Sequence, residues 1–319
     1  MDTVASAAGE PHVVDVVVIG AGPAGLSAAL NLVRSRRTVL LVDANRPRNA
    51  ATLRSHGFLT RDGISPLELR KLGRAEVEGY AEATVVQAVV DRVARDGDLW
   101  TVHGSWRGTE VVARAAAVVV ATGLREAFPA LPMLRALYGT AVHSCVECDG
   151  YEKAGEPLAF ICETGDVVDR AVVLAALTDD LIVYTNGVAP LDDAGRARLA
   201  AAGVRVDERP VADLEGDRTG MTGVRLVDGH VEPRTGGFVR PTWHADLDWL
   251  EAVVERDADG LVVVDRAGRT GVPGLYAVGD VTPPGPEQLV VAAGHGAVTA
   301  AAVHRDLVSG HEHAPDAVQ

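Results

Sequence analysis

The stretch that most restricts what this chain can become starts at His12 and reads HVVDVVVIGAGPAGLSAALNLVRSRRTVLLVDANRP. An apolar run, Val13 to Ile19, leads into Gly20-Ala21-Gly22-Pro23-Ala24-Gly25. An Ala/Leu-rich helical segment follows, then a second apolar run from Thr38 to Val42 that ends at Asp43. Strand, G-x-G-x-x-G, helix, strand and acid, in that order, predict a dinucleotide-binding βαβ unit. Gly20 permits the tight turn, Gly22 lets backbone amides approach a pyrophosphate, and Gly25 lets the helix pack closely on the strand. The helix N-terminus favours an anion, and Asp43 is placed to accept hydrogen bonds from a ribose. A glycine-rich turn in a purely structural βαβ unit is the competing account, and the complete context of the motif weighs against it.

The 319 residues exceed one typical domain, so two are expected. With 47% hydrophobic but only 4% aromatic residues, the composition suits parallel sheets covered by helices and predicts an α/β protein. A formal net charge of −14 repels phosphate backbones and anionic lipid, so neither nucleic acid nor membrane is an expected partner. The opening MDTVASAAGEPH has no basic or apolar leader region, which predicts a cytoplasmic protein with a frayed N-terminus. The closing HEHAPDAVQ is a polar tail with no role to assign.

Two of the three cysteines, Cys145 and Cys148, stand in HSCVECDGYE. A C-x-x-C is a redox pair, part of a metal site, or two inert thiols. Zinc needs four ligands, and beyond this pair the chain offers a distant Cys162 and scattered histidines, with His143 the nearest, so no metal is expected. Glu147 and Asp149 flank Cys148 and make apolar burial of the pair costly. Thiol–disulfide exchange needs an attacking thiolate and a second thiol to resolve the mixed disulfide, which this spacing supplies, and the electrons then need an acceptor.

The segment RTGVPGLYAVGDV, Arg269 to Val281, resembles the second flavin-contact motif of the two-dinucleotide-domain flavoproteins. The resemblance implies that Asp280, beside Gly279, binds the ribityl chain of FAD. It also implies that the helix opening at Gln288 and Leu289 points its positive end at the pyrimidine side of the flavin, where reduction develops negative charge. RAAAVVVATG ends in Ala121-Thr122-Gly123, where such chains leave the FAD domain. Arg48 and Asn49, in RPRNA, are expected to follow the adenosine site and lie along the FAD.

Together these pieces resemble thioredoxin reductase of the low-molecular-weight kind over nearly the whole chain. The resemblance implies two doubly wound, Rossmann-like domains in a homodimer. The FAD domain would be discontinuous (1–122 and 245–319), with an inserted domain (123–244) carrying the C-x-x-C. It further implies that Cys145 exchanges with substrate, Cys148 lies against the flavin and Asp149 handles protons.

One departure redirects the function. PLAFICETGDVVDRAVVLAAL keeps the strand and helix of an NADPH domain, but Cys162-Glu163-Thr164-Gly165-Asp166-Val167 replaces the glycine-rich turn. Side chains and two acids stand where a pyrophosphate needs bare backbone, and no arginine pair directly follows the next strand, so no productive NADPH site is expected. A kept dithiol with a lost NADPH turn resembles the FAD-dependent dithiol oxidases of gliotoxin- and holomycin-type pathways. These close a disulfide in a small-molecule dithiol and pass the electrons to oxygen, giving hydrogen peroxide. Asp149 departs from the histidine found after the second cysteine in fungal members. The alternatives are a disulfide reductase fed by NAD(P)H or another donor, with a thioredoxin-like partner, and a flavin-binding interaction protein with vestigial thiols. Four histidines carry competing readings: His56 as a flavin neighbour or a loop histidine, His143 as a third metal ligand, His244 with Trp243 as lining of the active site or hinge packing, and His295 as a base secondary to Asp149.

Overall fold

A computed structural model describes residues 10–217, 219–283 and 285–310. The N-terminal stretch expected to be frayed (1–9) and the polar tail from 311 lie outside the described residues.

The first sheet begins with β1 (His12–Ile19), whose parallel neighbours are β2 (Val39–Asp43) and β6 (Thr109–Val120). β3 (Ala83–Gln87) continues it beyond β2. β5 (Leu99–Trp106) pairs antiparallel with the first half of β6, and β4 (Val89–Asp96) pairs antiparallel with β5. The chain returns to this sheet in β17 (Leu275–Ala277), parallel to the end of β6. Alternation along β1 shows the pleat: Val16 and Val18 join one apolar cluster, Val17 and Ile19 the other. Both faces are covered, which is why 16–19 of β1 and 39–42 of β2 are apolar throughout instead of alternating with polar residues.

The second sheet is assembled from residues between those visits. Its order is β11 (Arg205–Asp207), β10 (Leu181–Tyr184), β9 (Leu158–Ile161), β15 (Gly236–Val239), β8 (Val142–His143), all parallel. It too is buried on both faces, with Ala159 and Ile161 on one side, Leu158 and Phe160 on the other. A smaller sheet, β12 (Val211–Asp217), β13 (Gly220–Leu226) and β14 (Val231–Pro233), flanks it. Where the chain crosses between the two large sheets, β7 (Arg125–Ala127) pairs antiparallel with β16 (Thr242–His244), tying the outgoing and returning segments together.

The helices are α1 (Pro23–Arg34), α2 (Pro66–Glu78), α3 (Pro132–Leu137), α4 (Val146–Asp149), α5 (Val167–Leu174), α6 (Asp193–Ala201) and α7 (Leu289–Ser309). α1 and α7 cross at backbone distance, because a Cβ on Gly296 would lie 2.1 Å from the Ala24 carbonyl oxygen. Gly279 meets Ala24 at the same place, where its φ of +75° is one that glycine adopts freely. This contact sets the position of the start of α7. Among the described residues no helix is long and apolar enough to cross a membrane.

Candidate active site

Cys145 precedes α4, Cys148 lies within it, and the two are joined by a disulfide with Cα atoms 5.2 Å apart. The short helix keeps both sulfurs on one side of a single turn. They open onto a cavity of about 110 Å3 that also takes in Arg48, Asn49, Asp149, Gln288 and Leu289, so seven residues expected from the sequence meet there. The N-terminus of the 21-residue α7 therefore faces the disulfide. His56 is on the same wall, its Nδ1 3.4 Å from Asp62 and its Nε2 3.5 Å from Glu152.

A second cavity, about 290 Å3, is lined by Gly22, Pro23, Asn49, Arg61 and Arg70 at the start of α1. Asn49 belongs to both cavities, so the two follow one another along the same loop. The other motif residues do not line either space. Gly20 and Gly25 close the turn on itself: a Cβ on Gly25 would lie 1.9 Å from the Gly20 carbonyl, and one on Gly20 2.4 Å from that of Ala121, next to Thr122. Gly123 makes the turn out of β6 with a φ of +65°. Asp43 ends β2 with its carboxylate bonded by Arg70 and by the Asn45 amide, each oxygen keeping one acceptor position.

Asp280 is reached from across the site. Arg48 donates to its Oδ2 at 2.6 Å and to Glu126 Oε1 at 3.2 Å. Burial works against the Arg48 charge, but Asp280 and Glu126 outweigh it and raise its pKa. Tyr138 donates to Glu126 at 3.0 Å, and its hydroxyl is 2.7 Å from Ser144 Oγ, beside Cys145. Burial first, then the Glu126 charge, pushes the Tyr138 phenol well up, so it stays a donor. Glu126, Tyr138 and Ser144 carry no sequence signal, since they assemble only through the fold.

His143, which the sequence offers only as a metal ligand, is buried with Nδ1 3.1 Å from Asp149 Oδ1. Among the described residues no group of three or more His, Cys, Asp or Glu is arranged to hold a metal ion. His295 does not line the disulfide cavity: its Nδ1 accepts the Gly279 amide at 3.2 Å, and burial lowers its pKa. His244 is exposed in β16 and Trp243 stacks under Arg240, 4.3 Å from its guanidinium carbon to the ring centre; neither lines the disulfide cavity.

The side chains of the turn after β9 bond to one another and to their neighbours, while its Gly165 faces open space. Asn186 donates to Glu163 at 2.7 Å, and Thr164 donates to Asp166. Arg170 donates to Asp166 Oδ2 at 2.7 Å, and Arg240 Nε lies 2.9 Å from the same oxygen as an ion pair without hydrogen-bond alignment. Two arginines thus do converge here, from helix and strand end and not from the segment after β10, and the acid occupies both. Burial opposes the Asp166 charge, but its bonds to Thr164 and Arg170 and the Arg240 charge prevail and lower its pKa. Its stabilising effect is therefore full above the unfolded carboxylate range near pH 4 and is lost only as pH falls through the lower folded value. At neutral pH Asp166 therefore stays ionised between the two arginines.

Two Rossmann-type sheets with a disulfide between a flavin-type loop and a helix N-terminus define a disulfide oxidoreductase of the two-dinucleotide-domain class. The family model for pyridine nucleotide-disulphide oxidoreductases matches residues 14–296, and the chain belongs to that family. It is similar to the solved structure of HlmI, at 39% identity and TM-score 0.87 over 94% of this chain and 95% of that one. A putative thioredoxin reductase TrxB from Bacillus anthracis shares 33% identity at TM-score 0.86, covering 93% and 99%. A probable thioredoxin reductase from Arthroderma benhamiae is 33% identical over 56% of this chain and 45% of its own length. The alignment likewise spans 57% of the NADH dehydrogenase from Bacillus subtilis, so the chain accounts for about half the length of these curated relatives.

The family binds FAD, and the chain is an FAD-dependent redox enzyme. The residues present fit that cofactor. A Cβ built on Gly22 meets nothing within 4 Å, so this glycine leaves bare backbone facing the larger cavity. The two glycines hence separate binding from folding. Gly22→Val should give folded but colourless protein, whereas Gly25→Ala should lose on the order of 1–3 kcal/mol or more through overpacking against backbone. Flavin absorbance and thermal unfolding of the purified variants check both; a Gly22→Val protein that keeps full FAD content contradicts the assignment.

Proposed function

We propose that the chain oxidises a small-molecule dithiol to its disulfide through Cys145 and Cys148, with FAD as the two-electron acceptor and oxygen as the final one. The observation that carries this is the closed turn after β9. Glu163 and Asp166 stand in the turn and Asp166 engages both arginines, so an NADPH pyrophosphate meets two acids and already paired cations, with Gly165 the one glycine of the turn that leaves open backbone. The resemblance to dithiol oxidases and the similarity to HlmI support the same reading.

Substrate thiolate attacks Cys145 Sγ and the electron pair of the broken bond stays on Cys148. Glu147 supports this direction, since its Oε2 lies 3.9 Å from Cys145 Sγ and repels negative charge left there. A second substrate thiolate then attacks the substrate sulfur of the mixed disulfide, closing the product and freeing Cys145. Bound FAD supplies the acceptor for the two electrons held on the cysteine pair. Gly22, Pro23 and Asn49 would hold its adenosine and phosphate side, Asp280 with Arg48 its ribityl chain, and Gln288 and Leu289 its ring. We further propose domain boundaries at 122 and 245, on either side of the β7–β16 ladder, a homodimer, and a cytoplasmic location.

A disulfide reductase with a thioredoxin-like partner is the second reading, favoured by the names of the relatives. Stoichiometry separates the two. With dithiothreitol as substrate, one oxygen should be consumed and one hydrogen peroxide formed per dithiol oxidised, read by oxygen electrode and peroxide assay. Flavin reduction by dithiol without oxygen consumption on admitting air contradicts the oxidase reading.

A further inference from the structure

We propose that His143 and Asp149 together hold one proton beside the disulfide, and that His143 is the positioning residue that keeps it available to Cys148. The inference rests on the dithiol-exchange reading above. His143 is anchored by β8, paired to β15, and its ring is buried, 6.2 Å from that of Phe238. Its Nε2 lies 3.0 Å from the Thr140 carbonyl oxygen, which only accepts, so Nε2 carries a hydrogen. The other nitrogen, Nδ1, faces Asp149 Oδ1 at 3.1 Å. A neutral ring with its hydrogen on Nε2 would set a lone pair against a carboxylate oxygen, in a place with little water to separate them. A proton between Nδ1 and Oδ1 resolves this, whichever atom holds it at a given moment. Asp149 is fixed in turn by its backbone amide, which donates to Cys145 at 3.2 Å, and it follows Cys148 directly on the same cavity wall.

The charges facing the pair do not supply that proton themselves. Arg48 and Arg54 with His56 come from the loop after β2, Glu126 from β7, and Tyr138 from the end of α3. Glu147 stands on α4 and Glu287 ahead of α7. Arg48 is held by Asp280 and Glu126, while His56 lies between Asp62 and Glu152. β15 presents the apolar Phe238. In the first exchange the substrate sulfur bonds to Cys145 Sγ, and the Cys145–Cys148 bond breaks with its electrons on Cys148. The proton of the pair then passes through Asp149 to that sulfur. The substrate thiol gives up one proton in becoming a thiolate and the pair recovers one from water, so thiol plus disulfide becomes mixed disulfide plus thiol. The asymmetry is built in: Glu147, 3.9 Å from Cys145 Sγ, has no ion-pair partner within 4 Å among the described residues, whereas the carboxylate next to Cys148 comes with a proton.

The test has two arms on the FAD-loaded protein. Proton and nitrogen NMR with labelled histidine, on the oxidised wild type across about pH 5.5 to 8.5, should show a low-field proton on Nδ1 of one ring that both His143→Asn and Asp149→Asn remove. Asparagine keeps a donor near the Nδ1 position but cannot titrate. His143→Asn should therefore retain FAD and dithiol saturation behaviour, while anaerobic flavin reduction by dithiothreitol at pH 7 slows about tenfold or more and its pH profile loses a one-proton step. Absence of the low-field signal, or its survival in Asp149→Asn, overturns the proposal, as does a His143→Asn enzyme with the wild-type rate and profile. If His143→Asn fails to fold, the wild-type and Asp149→Asn spectra decide. If dithiothreitol does not reduce even the wild type, the oxidase reading fails, and the spectra still decide whether the pair holds its proton.

Discussion

Cys148→Ser protein, purified with its FAD, should oxidise dithiothreitol more than about a thousandfold more slowly than wild type, the scale expected when a covalent step loses its essential group. A serine cannot form the disulfide that accepts the substrate's electrons, and the chain holds no replacement. Its third cysteine, Cys162, is buried behind the closed turn with its thiol hydrogen-bonded to Thr164, and burial raises its pKa. Cys145→Ser should be as inactive in turnover but different in colour, since the remaining Cys148, whenever the shared proton rests on the His143–Asp149 pair, is a thiolate near the flavin and gives a charge-transfer band that Cys148→Ser lacks. Oxygen uptake and the visible spectrum of each variant read the two effects. A double Cys→Ser protein with the wild-type rate of dithiol oxidation would remove the cysteines from the account altogether.

Much of the fold was legible because its signals are local. The β1–α1–β2 unit shows itself through backbone needs, as in Gly25, where any Cβ collides with Gly20, and through apolar runs that only a sheet buried on both faces explains. The meeting of Asn49, Cys148 and Leu289 around one cavity was legible through motif order, not through spacing, since they lie far apart in the chain. What escaped was side-chain pairing between distant elements. Arg48 was expected along the FAD, and nothing in RPRNA announces that its charge is shared between Asp280 and Glu126. His143 stands in plain view beside the cysteines, yet its partner is chosen by the turn of α4, which brings Asp149 back against it. By motif order, arginines at the lost NADPH turn belong after β10. They arrive instead from α5 and from the residue after β15, a placement that only the packing of helix on sheet determines.

The most direct test of an oxidase built on a reductase frame is anaerobic stopped-flow reduction of the flavin, by NADPH in one syringe series and by dithiothreitol in another. Closing the turn removes at least two charge-assisted hydrogen bonds to phosphate, each worth about 1.5–3 kcal/mol, which together amount to about a hundredfold or more. Dithiol should reduce the flavin in a fast, saturable phase, and NADPH at least about a hundredfold more slowly even at millimolar concentration, on the same arithmetic. Fast, saturable reduction by NADPH would contradict the account and return the chain to the reductases.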